Sequence, residues 1–223
     1  SRIGSANPVM GPRYSSEPGT LSAVAATAHL VRHGTVHNPA KIVYADLPGF
    51  GLSSRGRNEA EAAAAFLSSH PLQCIVTSPL ERARQTAAIV AAPHGLTPVV
   101  DHRLREWELG SLWAGIPWEQ LPRERPGELE AYLATPDELP FAPESLRALA
   151  KRVTAAIVEF SSAGGSSVFV SHQDPIQAAR LALTGRPLSG LHSAKPDHAS
   201  VISLHAGEPW CERRYWEPGD LPR

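Results

Sequence analysis

A chain of 223 residues with 42% hydrophobic and 19% charged side chains has the length and composition of one large globular domain. A net charge of −1 gives no long-range pull toward polyanions, and no apolar run approaches the roughly 18 residues of a membrane span, which argues against nucleic-acid and membrane partners. The two cysteines, Cys74 in an apolar run and Cys211 near the end, lack metal-ligand spacing and are too few for a disulfide framework, which fits a reducing cytoplasm.

Residues 1–27 are rich in Gly, Pro, Ser and Ala and lack the apolar stretch of a signal peptide, so they read as a flexible lead. Met10 is the only methionine, and residues 1–9 read as vector-derived, with the native start at Met10. HLVRH (29–33) is predicted to be a short strand. SRGRNEAEAAAAFLSSH (54–70) is an alanine-rich helix ending before Pro71, and QCIVTS (73–78) is a second buried strand. Pro79 suits the first turn of a helix through LERARQTAAIVAA (80–92), and TPVVD (97–101) reads as a third strand. From about 107 to 142 the periodicity dissolves into a Trp-, Pro- and Gly-bearing insertion, partly helical around GELEAYLA (127–134). Regularity returns with a helix over 143–160, a Gly164-Gly165 break, the strand SVFVSH (167–172), a helix over 174–185, and strands over 198–205 and 211–217.

Buried strands alternating with helices imply a three-layer α/β/α sandwich with a mostly parallel sheet. A single domain is expected over 28–223, with the compact 107–142 insertion lying over the site. Ligands in such folds sit beyond the carboxyl ends of the strands. The first strand ends at Arg32-His33-Gly34, the second leads into TSPLER (77–82), and the late strand ends at Ser171-His172-Gln173. All three are expected to converge on one anion.

In chain order, LVRHG (30–34), TSPLERARQTA (77–87), RLREWELGSLWAG (103–115) and VFVSHQDPIQ (168–177) resemble the histidine phosphatase superfamily, also called the phosphoglycerate mutase-like family. The resemblance covers residues 28 to about 205. It implies that His33 is a nucleophile, its neutral imidazole attacking phosphorus to form a phosphohistidine that water cleaves. It implies that Arg32, Arg82 and His172 stabilise the negative charge on the transferring phosphoryl group, with His172 protonated while the anion is bound. Glu106 is the expected acid for the leaving oxygen and then the base for water, which requires a carboxyl pKa raised by an enclosed, apolar setting such as that beside Trp107. Glu108, two positions on, is read as a surface acid.

Two positions depart from the family pattern. Thr35 stands where many members have Glu or Gln, and Asn38 is five rather than six residues after the histidine. Thr35, Asn38 and Gln173 are assigned as substrate contacts, Thr35 through its hydroxyl and Gln173 through its backbone N–H. Asp174 is expected to cap a helix beginning at Pro175.

Other readings fail on the residues. GFGLSSRG (49–56) has Ser54 where a dinucleotide loop needs glycine and no strand before it, and no P-loop motif occurs. His29, His33 and His37 have a helical spacing for metal ligation, but they lie on a strand reading and no Glu completes the motif. No metal and no cofactor is therefore expected. The expected activity is hydrolysis of a small-molecule phosphomonoester through phosphohistidine. The alternatives are a mutase that returns the phosphoryl group to the substrate and a non-catalytic phosphate-binding module.

Overall fold

The computed structural model describes residues 25–219. The predicted lead, with the start placed at Met10, lies outside the described residues except for its last three positions, and Thr27 already opens the first strand. In chain order the elements are β1 Thr27–Arg32, α1 Ser54–Leu67, β2 Leu72–Thr77, α2 Glu81–Ala91, β3 Val99–Val100, α3 Leu109–Leu112, α4 Leu121–Glu124, α5 Glu128–Ala134, α6 Leu146–Ser161, β4 Ser166–Ser171, α7 Gln173–Leu183, β5 Val201–His205 and β6 Cys211–Trp216.

The six strands form one sheet in the order β3-β2-β4-β1-β5-β6. The β3/β2, β2/β4 and β4/β1 pairs are parallel. β5 alone is reversed, pairing antiparallel with both β1 and β6. Successive strand residues point to opposite faces, so Leu30 and Phe169 enter one core while Val31, Val168 and Val170 enter the other. Helices cover both faces, which is why the central strands are apolar at consecutive positions rather than alternating. On one side α1 and α2 present Ala63, Ala64, Leu67, Ala83, Ala87 and Val90 at helical spacing. On the other, α6 and α7 present Leu149, Val153, Ile157, Ile176 and Ala179. This is the three-layer sandwich expected from the sequence.

Several boundaries differ from expectation. Helix α1 stops at Leu67, with Ser68 as its C-cap. Pro79 lies before α2 rather than in its first turn: Leu80 is the extended N-cap residue, and Ser78 Oγ accepts from Leu80 N–H at 3.3 Å, turning the chain before the helix starts. The third strand shrinks to Val99–Val100, an edge paired only with β2 and with both valines exposed. The 107–142 segment contains α3, α4 and α5, and Trp107, Leu109, Trp113, Leu121 and Tyr132 are buried in the larger core. Its irregular sequence period reflects short elements packed side-on, not a loose loop.

One contact ties the fold to the site. The loop after β1 lies directly on the first turn of α1: a Cβ on Gly34 would strike the backbone of Gly56, and a Cβ on Gly56 would strike the carbonyl and amide of Thr35. Helix propensity alone would favour Gly56→Ala by about 1 kcal/mol. Here the clash is with backbone on both sides of the interface, so the substitution is expected to destabilise by about 2 kcal/mol. Equilibrium denaturant unfolding reads the sign directly, and a stabilised Gly56→Ala protein would contradict this packing.

Candidate active site

The carboxyl ends of β1, β2 and β4 deliver four groups to one place. Arg32 is the last residue of β1 and His33 follows it. Arg82 projects from the first turn of α2, after β2. His172 follows β4 as the extended N-cap residue of α7. His33, Arg82 and His172 are all buried. The His33 and His172 rings approach edge-on with centroids 5.1 Å apart.

The tautomer of His33 follows from its neighbours. Nδ1 lies 2.8 Å from the carbonyl oxygen of Gly34, which can only accept, so Nδ1 carries the hydrogen. Nε2 therefore keeps its lone pair, and Arg82 Nε donates to it at 3.2 Å. Burial first, then the charge of Arg82, holds the His33 pKa well below the usual histidine range. The imidazole is thus neutral, with its Nε2 lone pair directed at Arg82. Arg82 is held on its far side by the Ala45 carbonyl at 2.8 Å and stacks over the Tyr44 ring at 4.8 Å.

Arg32 is braced by three acceptors: Gln173 Oε1 at 2.8 Å, the Pro196 carbonyl at 2.9 Å and His198 Nε2 at 3.0 Å. Burial, then the charge of Arg32, pushes His198 down to about 3, so it stays a neutral acceptor. Ser78 Oγ bonds His172 Nε2 at 2.8 Å. Two buried nitrogens, Arg32 Nε and His172 Nδ1, have no hydrogen-bond partner among the described residues. Native proteins seldom leave such groups unpaired, and an anionic oxygen is an acceptor that either nitrogen could donate to.

Glu106 lies opposite. Oε1 accepts from the Trp107 N–H at 3.0 Å, and Oε2 is 3.9 Å from His172 Nδ1. Burial, reinforced by the negative charge of Asp174 and opposed by Arg82, pushes its pKa up to about 7. Its backbone is fixed from α6: Arg152 donates to the carbonyls of Arg103, Arg105 and Glu106 at 2.7–3.0 Å while pairing with Glu144. Glu108 is exposed.

The remaining predicted contacts fall differently. Thr35 donates both its amide and its hydroxyl to Glu59, at 2.8 and 2.9 Å. Asn38 spends its amide on the backbone of Ile42, donating at 2.8 Å and accepting at 3.2 Å. These donors close the loop rather than face the anion site. Gln173 reaches the site through its side chain, which braces Arg32. Asp174 is not the cap of α7, because the helix starts one residue before it. Its carboxylate instead accepts from Tyr132 Oη at 2.9 Å, with Lys195 Nζ 3.4 Å away. His29 bonds Ser203 within the sheet and His37 is exposed, so the three evenly spaced histidines do not meet. Among the described residues no group of three or more His, Cys, Asp or Glu is arranged to hold a metal ion. No helix among them is long and apolar enough to cross a membrane.

Sequence reasoning misses Tyr44, Ser78, Tyr132, Arg152 and His198. The only local hint is His198 as the first residue of the strand predicted over 198–205, which carries no specificity.

The mostly parallel α/β sandwich gathers two arginines, two histidines and a carboxylic acid beyond its strand ends, a set whose cations and donors suit an anion. The sequence profile of the histidine phosphatase superfamily (branch 1) matches residues 28–216, and the chain belongs to that superfamily. An uncharacterized protein of Mycobacterium tuberculosis, Rv0525, is 38% identical over 215 residues, which cover 86% of this chain and 96% of the relative. Phosphoserine phosphatase 1 of Hydrogenobacter thermophilus is 32% identical over 80% of this chain and 86% of its own. A 2,3-bisphosphoglycerate-dependent phosphoglycerate mutase of Thermoplasma acidophilum is 33% identical over 68% and 73%. The solved complex of mycobacterial glucosyl-3-phosphoglycerate phosphatase Rv2419c with inorganic phosphate superposes with a TM-score of 0.74 at 29% identity, covering 87% of this chain and 98% of that one.

Proposed function

We propose that this protein is a phosphomonoesterase that works without a metal ion and passes the phosphoryl group through His33 to water. The observation that carries the reading is the pairing of a neutral imidazole, its Nε2 lone pair free of hydrogen, with an enclosed carboxylic acid pushed up to about 7. In the first step Nε2 attacks phosphorus and the bond to the ester oxygen breaks, that oxygen taking the Glu106 proton. In the second, Glu106 as carboxylate takes a proton from water, which attacks phosphorus and releases Nε2 and inorganic phosphate. Arg32, Arg82 and His172 balance the charge throughout, and the arriving dianion raises the pKa of His172 so that it binds as the cation. The phosphate complex of the mycobacterial phosphatase and the names of the phosphatase and mutase relatives support a small-molecule phosphoester as substrate. We place the protein in the cytoplasm, where its free Cys74 and Cys211 thiols persist.

The compact 107–142 insertion favours hydrolysis over the mutase alternative, since a mutase must exclude water while the substrate turns over in the pocket. Glycerol 3-phosphate separates the two: inorganic phosphate accumulates from a hydrolase, glycerol 2-phosphate from a mutase. Phosphate binding with no turnover of any ester would leave the non-catalytic module. Activity is expected to survive EDTA, and full loss restored by a divalent ion would overturn the metal-free mechanism.

The pH profile is a second test. Glu106 must be protonated to act as the acid, so its contribution is present below about 7 and lost as pH rises through that value. For an alkyl phosphate, kcat/KM is expected to fall by roughly tenfold per pH unit on the alkaline side. An alkaline limb that persists unchanged in Glu106→Gln would belong to another group.

A further inference from the structure

Next to the anion site lies a cavity of about 330 Å³, bordered by Arg32, Glu106 and Gln173 at its inner end and by Tyr44, Trp107, Trp113, Trp118, Tyr132 and Asp174 along its walls. Its volume is at the small end of the usual range for ligand pockets, which suits one ring rather than two. The chemistry of its walls is uneven. Val43, Ala45, Leu109 and the aromatic rings supply apolar surface, and Trp118 is 46% exposed, edge-on to Trp113 with centroids 6.4 Å apart. The faces of Tyr44 are already covered by Phe50 and Arg82, which leaves Trp118 as the exposed ring.

Charge is scarcer, and beyond Arg32 the charged lining residues are acids. Arg32 is the only Lys or Arg among the lining residues, and it belongs to the phosphate end. The second acid, besides Glu106, is Asp174. The nearest amine, Lys195, is committed to it at 3.4 Å and donates to Tyr132 Oη at 2.9 Å. Away from Arg32, a substrate carboxylate or second phosphate in this cavity would face Asp174, with no further Lys or Arg among the described lining residues to meet it. Like charges set side by side in this way oppose binding.

We propose that the leaving alcohol of the natural substrate is an uncharged single ring, held against Trp118, and that esters carrying a carboxylate or a second phosphate are rejected at Asp174. This rests on the hydrolase reading for its chemistry, but the cavity selects a ligand whether or not turnover follows.

Two measurements keep the two readings apart. Initial rates compare esters that differ in one feature: glycerol 3-phosphate against 3-phosphoglycerate, phosphoethanolamine against phosphoserine, and benzyl phosphate against glycerol 3-phosphate. Each carboxylate is expected to lower kcat/KM by at least about tenfold, and the benzyl ring to raise it by a similar factor. Trp118→Ala should shrink the benzyl preference, and Asp174→Asn should shrink the carboxylate penalty. Calorimetric titration with benzylphosphonate and 3-phosphonopropionate reads the same selectivity without catalysis, the former expected to bind at least about tenfold tighter. Equal or inverted preference in the titration overturns the proposal, as does a carboxylated ester turned over as fast as its neutral partner. Absence of turnover for every ester, with the binding preference intact, would remove the hydrolase reading alone.

Discussion

Replacing His33 with alanine is expected to lower phosphatase turnover by on the order of 10⁴-fold or more and to eliminate any phosphorylated enzyme species. The neighbouring described groups are otherwise engaged: His198, with its ring centroid 5.6 Å from that of His33, has its Nε2 on Arg32. Arg32 and Arg82 are cations, and His172 has its Nε2 on Ser78, with its Nδ1 3.9 Å from Glu106. In the unaltered protein, rapid quenching under alkaline conditions during turnover should trap a phosphoryl adduct that is lost in acid, and peptide mapping should place it on His33. The His33→Ala protein should keep its fold and still bind inorganic phosphate, because its arginines remain. An adduct on a serine or an aspartate, or a variant within tenfold of normal activity, would remove His33 from the mechanism.

His33 is legible in the sequence because β1, β2 and β4 are short, buried on both faces and parallel. A motif at the end of such a strand must emerge on the same edge as its neighbours. Three local motifs and one topological rule therefore suffice to bring Arg32, His33, Arg82 and His172 together. The residues that support them leave no such trace. Arg152 holds Glu106 across 46 positions, Ser78 meets His172 across 94, and His198 meets Arg32 across 166. Each is an ordinary side chain whose role exists only through that contact.

Thr35 and Asn38 have partners that the sequence does not announce. They lie beside the motif in sequence, but a tight loop must satisfy its own polar groups, and Glu59 and the Ile42 backbone claim their side chains. Asp174 departs from its expected role for a related reason. His172 occupies the cap position of α7, so the helix begins early and frees Asp174 to face Tyr132 and the cavity. The 107–142 segment is recognisable in the sequence as an interruption but not as part of the core. Its short helices give too few turns for a period to register, although Trp107 and Trp113 are almost fully buried.

Glu106→Gln is expected to discriminate sharply between leaving groups. An alkyl alkoxide departs badly unless protonated, whereas p-nitrophenolate is a far weaker base and departs with little help. Glutamine keeps the size of the side chain and an oxygen to accept from the Trp107 N–H, but it has no proton to transfer. In steady state the effect is partly masked, because in the proposed mechanism the same carboxyl group assists the water that cleaves phosphohistidine, a step common to both esters. Single-turnover release of the alcohol isolates the first step. There the loss is expected to be on the order of 10²-fold or more for glycerol or benzyl phosphate and much smaller for p-nitrophenyl phosphate. The exposed Glu108 is the control, and Glu108→Gln should change either rate little. The support beneath the acid is open to the same test. Since Arg152 fixes the Glu106 backbone through three carbonyls, Arg152→Met should reproduce part of the alkyl-ester defect and shift the alkaline limb of the pH profile, effects that general destabilisation would not separate by leaving group. Equal first-step losses for both ester types in Glu106→Gln, or a larger loss in Glu108→Gln, would place the acid elsewhere.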